Sequence, residues 1–191
     1  MDSCFNPPFT LIDMHMDWEF FGEEELEAVR QMVEKTGVTI NVAVVGETYV
    51  GKSTFINKLR GVEEWDERYA PVGLGDTTLE PTPYENPFND KMIFWDLPGV
   101  GTLRFPKDDS YFKTINVDQH DFFIIMSDAC FSENDAWIAR ELRKRGKPFF
   151  FVRTKLDEAL ASAEHDGQSI DEVIPRIYKN IFIVTLGEIL A

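Results

Sequence analysis

Gly46-Glu47-Thr48-Tyr49-Val50-Gly51-Lys52-Ser53 is the stretch on which the fold turns. It satisfies G-x-x-x-x-G-K-[ST] at every fixed position, and Thr54 follows it. The glycines let the backbone curl until successive N–H groups and a helix N-terminus point at phosphate oxygens. Lys52 supplies a positive charge for β- and γ-phosphates, and Ser53 offers a hydroxyl to Mg²⁺. Upstream, Thr39-Ile40-Asn41-Val42-Ala43-Val44-Val45 is β-rich and nearly all apolar, as a strand buried on both faces should be. Downstream, Ser53 to about Arg60 places Phe55, Ile56 and Leu59 on one helical face, and Gly61 closes the run. Strand, glycine loop and helix are the setting this pattern requires. Tyr49 occupies a loop position where small residues are common, so its ring either points to solvent or caps the ligand.

Further along, Met92-Ile93-Phe94-Trp95, Phe122 to Met126, Phe149 to Val152 and Ile181 to Val184 read as strands. Helical patterns separate several of them, notably Asp135 to Arg145, where Ile138 and Leu142 face one way among charges. The alternation predicts an α/β P-loop NTPase with a mostly parallel sheet flanked by helices. Residues 38–191 form the main domain in this reading. Residues 1–37 form an N-terminal arm with one amphipathic helix, Glu23 to Lys35, whose apolar face is Leu26, Val29 and Val33. Glu63 to Asn89, rich in Gly, Pro, Thr and Asp, reads as a long functional loop.

Two more motifs follow strand ends. Asp96-Leu97-Pro98-Gly99 fits D-x-x-G: a carboxylate there holds Mg²⁺, and the Gly99 N–H senses the γ-phosphate. Thr154-Lys155-Leu156-Asp157 fits [NT]-K-x-D. Asp157 would accept from both guanine N1–H and the N2 amino group, a two-bond readout adenine does not satisfy, while the Lys155 stem covers the base. These motifs select GTP or GDP as ligand. Gly73-Leu74-Gly75-Asp76-Thr77-Thr78 lies where a loop carries a threonine to the metal, with Thr77 and Thr78 both candidates. No glutamine follows Gly99; Val100-Gly101-Thr102 stands there, so water activation comes from elsewhere, with Asp76, the substrate or a second subunit as candidates.

Composition narrows the partners. Thirty-four acidic against nineteen basic side chains give −15, a field that repels nucleic-acid backbones and anionic lipid headgroups. A nucleotide site survives on such a protein because Mg²⁺ and aimed backbone N–H groups set the local potential. Cys4 and Cys130 make no disulfide framework, and His15, His120 and His165 show no metal spacing. The first residues lack the pattern of a secretion signal and the glycine of myristoylation, which makes cytoplasm the expected address.

At this point the chain resembles the immunity-related GTPases. The carrying residues are Gly46-Glu47-Thr48, Gly51-Lys52-Ser53-Thr54-Phe55-Ile56-Asn57, Leu59-Arg60-Gly61, Thr78 with Pro83-Tyr84, and Phe94-Trp95-Asp96-Leu97-Pro98-Gly99-Val100-Gly101. Asp121 to Ile125 and Phe151-Val152-Arg153-Thr154-Lys155-Leu156-Asp157 extend it. The resemblance implies a Ras-like G domain with added helices and slow, Mg²⁺-dependent GTP hydrolysis. It also implies GTP-dependent dimerisation with related GTPases across the nucleotide face, and endomembrane association. It makes Thr78 the switch threonine and Asp76 the counterpart of an acidic residue tied to hydrolysis. Thr185-Leu186 would be the remnant of the last guanine-contacting loop. The family continues past its last strand into a helical domain, whereas this chain ends at Ala191, so a C-terminally shortened G domain is expected. The site so assembled comprises Lys52, Thr78 and Asp76 for catalysis, and Ser53, Thr78 and Asp96 for the metal. For the nucleotide it comprises Gly46, Glu47, Thr48, Tyr49, Val50, Gly51, Lys52, Ser53, Thr54, Gly99, Thr154, Lys155, Asp157, Thr185 and Leu186. The second reading is a hydrolysis-deficient GTP-binding regulatory module acting through a protein partner, favoured by Tyr49, the missing glutamine and the short C-terminus.

Overall fold

The computed structural model describes residues 12–13, 39–73, 78–128, 132–171 and 173–174. The expected helix over 23–35, the strand over 181–184, and Asp76, Thr77, Thr185 and Leu186 lie outside the described residues.

The apolar run before the glycine loop forms β2, Ile40–Gly46, buried from Val42 onward. It is central because both its neighbours pair with it in parallel: β4 (Asn89–Asp96) on one side and β5 (Phe122–Ser127) on the other. Beyond β5 lies β6, Phe149–Arg153, and beyond that β1, the two residues Ile12–Asp13, both parallel. At the opposite edge β3, Thr82–Asn86, runs antiparallel to β4, giving the order β1-β6-β5-β2-β4-β3. The mostly parallel sheet is as expected. β3 corrects the reading of Glu63 to Asn89 as one long loop. Its half-exposed residues and Pro83 gave no buried alternation, and a proline is tolerated there because β3 is an edge strand.

Strand residues alternate between two cores, because successive side chains leave opposite faces. Ala43, Val45, Phe123, Ile125, Phe149 and Phe151 join one core, and Val42, Val44, Ile124, Met126 and Val152 the other. Helix α1 (Lys52–Leu59) covers the second core with Phe55 and Ile56. The short α2 (Asp109–Thr114) and α3 (Glu133–Lys144) cover the first with Tyr111, Phe112, Ile138 and Leu142. Phe123 is fully buried there, and its truncation to alanine should cost about 3–5 kcal/mol. Helix α3 starts on a capping box: Ser132 Oγ accepts from the Asp135 N–H at 3.1 Å, and Asp135 Oδ2 accepts from the Ser132 N–H at 2.9 Å. Helix α4, Leu156–His165, follows β6 directly.

The loop after α1 is fixed by two buried polar side chains. Asn57 Nδ2 donates to the Ala70 carbonyl and its Oδ1 accepts from the Ala70 N–H, each at 2.8 Å. Arg60 donates to the carbonyls of Glu85 and Arg68, with its guanidinium 5.0 Å from the Tyr84 ring centre. His120 is buried between the Trp95 and Phe123 rings, a packing role in keeping with its lack of metal spacing. Gly46, Asp96, Ser127 and Arg153 all end parallel strands, so the loops that follow them share one edge. That is where ligands bind in open α/β sheets.

Candidate functional site

The glycine loop leaves β2 with Gly46 at φ 155°, where an added Cβ would lie 2.3 Å from the Met126 carbonyl oxygen; only glycine fits. Gly51, at φ 90°, turns the chain into α1 as its N-cap. Between them Tyr49 holds a left-handed backbone, φ 70°, with its ring 57% exposed. A tyrosine there carries strain that a glycine would not. Val50 is buried, Thr48 and Thr54 are half-buried, and Lys52 Nζ donates to the Glu47 carbonyl at 2.7 Å, beside the Gly46 carbonyl at 3.4 Å.

Three of the predicted residues meet at one carboxylate. Ser53 Oγ donates to Asp96 Oδ2 at 2.6 Å and Thr78 Oγ1 donates to the same oxygen at 3.0 Å. Asp96 Oδ1 is buried and has no hydrogen-bond partner among the described residues. Burial pushes the Asp96 carboxyl above its ordinary range, opposed by the Ser53 hydrogen bond, the Lys52 charge and the Thr78 hydrogen bond. Two hydroxyls and a carboxylate with an unsatisfied oxygen are the hard oxygen donors Mg²⁺ takes, so the residues fit the ion. Thr78, one of the two candidate threonines, reaches Asp96; the other, Thr77, lies outside the described residues.

The segment after Asp96 lies flat on the glycine loop. A Cβ on Gly99 would fall 2.3 Å from Thr48 Oγ1 and 2.8 Å from the Thr48 nitrogen, and the Val100 N–H donates to the Gly46 carbonyl at 3.3 Å. The T-K-x-D segment is tied to the same loop: Thr154 Oγ1 donates to the Val50 carbonyl at 2.8 Å, across 104 residues of sequence. Lys155 takes a left-handed backbone as N-cap of α4, φ 53°, and its ammonium pairs with Asp128 at 2.9 Å, which raises its pKa. Asp157 is exposed in the first turn of α4.

Some contacts escaped the sequence reading. Glu47 Oε1 accepts from Ser132 Oγ at 2.7 Å and from Asn134 Nδ2 at 3.0 Å. The Ser132-x-x-Asp135 spacing is a readable cap signal, but nothing local announces a partner 85 residues away. Asp128 as the partner of Lys155 was equally unmarked.

Residues 23–183 match the family model described as Interferon-inducible GTPase (IIGP). This chain belongs to that family. Interferon-inducible GTPase relatives agree with the assignment. T-cell-specific guanine nucleotide triphosphate-binding protein 2 of Mus musculus is 39% identical over 153 residues, covering 78% of this chain and 37% of its own length. Interferon-inducible GTPase 1 of Mus musculus is 43% identical over 129 residues, covering 68% of this chain and 31% of its own. The chain thus spans about a third of the length of the curated relatives it matches. Among solved structures, NFeoB from S. thermophilus bound to GDP·AlF4⁻ and K⁺ superposes with TM-score 0.50 at 19% identity, over 69% of this chain and 49% of that one. That likeness establishes the fold. The family resemblance read from the motifs is therefore borne out. No helix among the described residues is long and apolar enough to cross a membrane.

Proposed function

We propose that this chain is the G domain of a GTPase that binds GTP and GDP with Mg²⁺ and hydrolyses GTP to GDP. The observation that carries the reading is the convergence of Ser53 and Thr78 on Asp96, beside Lys52 at the mouth of the glycine loop. Ser53 and Thr78 would hold the ion, with Asp96 beside them as the carboxylate that supports it. The ion would supply positive charge against the phosphates there.

The remaining work falls to the chain itself. Lys52 exchanges its carbonyl partners for phosphate oxygens and stabilises the charge that develops between β- and γ-phosphates. Backbone N–H groups of residues 47–54 orient the phosphates, and the Gly99 N–H bonds the γ-phosphate. Thr154 holds the base-reading loop against the phosphate loop, the Lys155 stem covers the base, and Asp157 accepts from guanine. Thr185 and Leu186, in this reading, contribute contacts to the guanine. Asp76 assists the attacking water. Turnover is slow and stimulated by assembly with a second copy or a related GTPase, and the protein works in the cytoplasm and on endomembranes in cell-autonomous defence.

A second reading has its own observation. Tyr49 holds a strained backbone and an exposed ring on the phosphate loop, and no glutamine follows Gly99. A module that binds GTP and holds a partner without hydrolysing it would show both. Phosphate release at several protein concentrations decides between them. A specific rate that rises with concentration supports the GTPase; tight binding with no turnover at any concentration supports the module.

A further inference from the structure

Helix α3 begins against the phosphate loop through side chains that the nucleotide chemistry above does not use. Glu47 Oε1 holds Ser132 Oγ at 2.7 Å and Asn134 Nδ2 at 3.0 Å. Ser132 is the N-cap of α3 and is locked by its capping box with Asp135, so Glu47 grips the end of a rigid element rather than a loose side chain. On its other side Asn134 abuts the segment that follows Asp96. Gly101 has φ 83°, and a Cβ there would lie 2.5 Å from Asn134 Nδ2. That segment is itself seated on the phosphate loop through Gly99 against Thr48 and through the Val100 N–H bond to the Gly46 carbonyl. Asn134 therefore stands between the Glu47 carboxylate and the backbone two residues beyond Gly99.

We propose that Asn134 is a positioning residue that couples the presence of a γ-phosphate at Gly99 to helix α3. The inference rests on the guanine-nucleotide reading of the site. Drawing the Gly99 N–H onto a terminal phosphate displaces the 99–101 backbone. Gly101 has no room to approach Asn134 unless the amide yields, and the amide is held by Glu47. The start of α3 and the 99–101 segment must then adjust together. The far end of α3 carries the adjustment onward: Arg145, its C-cap, pairs with Asp109 in the first turn of α2 at 3.1 Å and lies 4.4 Å from the Phe112 ring centre. Coupling of this kind is reciprocal, so the Asn134 contact must also set the preference of the site for GTP over GDP.

The test uses the full chain with Asn134→Ala and Asn134→Asp. The alanine deletes the bond to Glu47. The aspartate sets a second carboxylate against Glu47, yet an acidic residue in the first turn favours the helix, so loss of α3 would not explain its effect. GTPγS and GDP are titrated with Mg²⁺ by calorimetry, and amide hydrogen exchange of residues 132–136 is followed in each state. In the wild type, exchange there should differ between GTPγS and GDP. Both variants should lose that difference and shift the GTPγS-to-GDP affinity ratio by about fivefold or more, the lower end of ordinary allosteric coupling. An unchanged ratio with nucleotide-dependent exchange intact in both variants would overturn the proposal alone. A wild type that binds neither nucleotide would overturn the functional reading and this proposal with it.

Discussion

Thr154→Val removes one oxygen and almost no volume, and it tests whether the T-K-x-D loop, proposed to read the base, and the glycine loop, proposed to bind phosphate, form one unit. Thr154 is buried, and its hydroxyl donates to the Val50 carbonyl at 2.8 Å. The second contact, to the Ser127 carbonyl at 3.4 Å, is long enough to add little. The Thr154 N–H bond to the same Ser127 carbonyl, 2.8 Å, survives the substitution and keeps β6 in register. A neutral hydrogen bond contributes about 0.5–1.5 kcal/mol net, and leaving the buried Val50 carbonyl without its donor brings the cost to about 1–3 kcal/mol. Urea denaturation should therefore show a lower midpoint with an unchanged slope, since no additional surface is exposed. If the bound state loses about 1.4 kcal/mol more than the free folded state does, GDP affinity falls about tenfold. Thr154→Ser, which keeps the hydroxyl, should retain most of the affinity. A Thr154→Val variant with wild-type midpoint and wild-type GDP affinity would refute the claim that this bond joins the two loops.

Three further expectations follow from the same geometry. Gly99→Ala drives a Cβ to 2.3 Å from Thr48 Oγ1 and 2.8 Å from the Thr48 nitrogen, so thermal unfolding should report a loss of about 1–3 kcal/mol; an unchanged melting temperature would count against the close packing of these segments. Tyr49→Gly relieves a left-handed backbone worth about 1–2 kcal/mol and adds unfolded-state entropy worth about 0.5–1 kcal/mol, so stability should rise by up to about 1.5 kcal/mol. Tyr49→Ala keeps the strain and should leave the denaturation midpoint where it is. His120 gives a pH signature: burial, reinforced by the nearby Lys147, lowers its pKa, although its bond to the Ile115 carbonyl and the Asp121 charge oppose the shift. The unfolded chain then takes up a proton below about pH 6.5 while the folded one does not, so this contribution is complete above that pH and is lost as pH falls toward the folded value. Replacing His120 by Gln should flatten that limb of the stability profile, and a limb of equal slope in the variant would refute the assignment.

Much of this was legible in the sequence because the phosphate loop, D-x-x-G and T-K-x-D each follow an apolar strand, and local spacing suffices to find them. Lys52, Ser53 and Asp96 came from pattern alone, and the structure brings them together with Thr78. Spacing alone left Thr77 and Thr78 both open, since adjacent threonines in an aperiodic loop carry no signal of which one reaches the metal; the family resemblance pointed to Thr78, whose hydroxyl meets Asp96. β3 was hidden because an edge strand with half-exposed residues has no apolar alternation to read. Helix α4 was missed because its first turn coincides with the T-K-x-D motif, which draws attention to a loop. Arg60 and Asn57 look like ordinary helix-surface residues in sequence, and the folding back of residues 61–70, with strand β3 over Arg60, buries them. The Glu47 contact to α3 has no sequence signature, because it depends on where two distant loops meet at one sheet edge.

The central claim is that this site binds guanine nucleotide through Asp157 and phosphate through the loop at residues 46–53. The most direct test is calorimetric titration of GTPγS, GDP and ATPγS with Mg²⁺ into the wild type and an Asp157→Ala variant. The account predicts that the wild type binds GTPγS and GDP but not ATPγS, and that Asp157→Ala loses the preference for guanine while remaining folded. Equal binding of ATPγS by the wild type, or guanine binding untouched by Asp157→Ala, would contradict it.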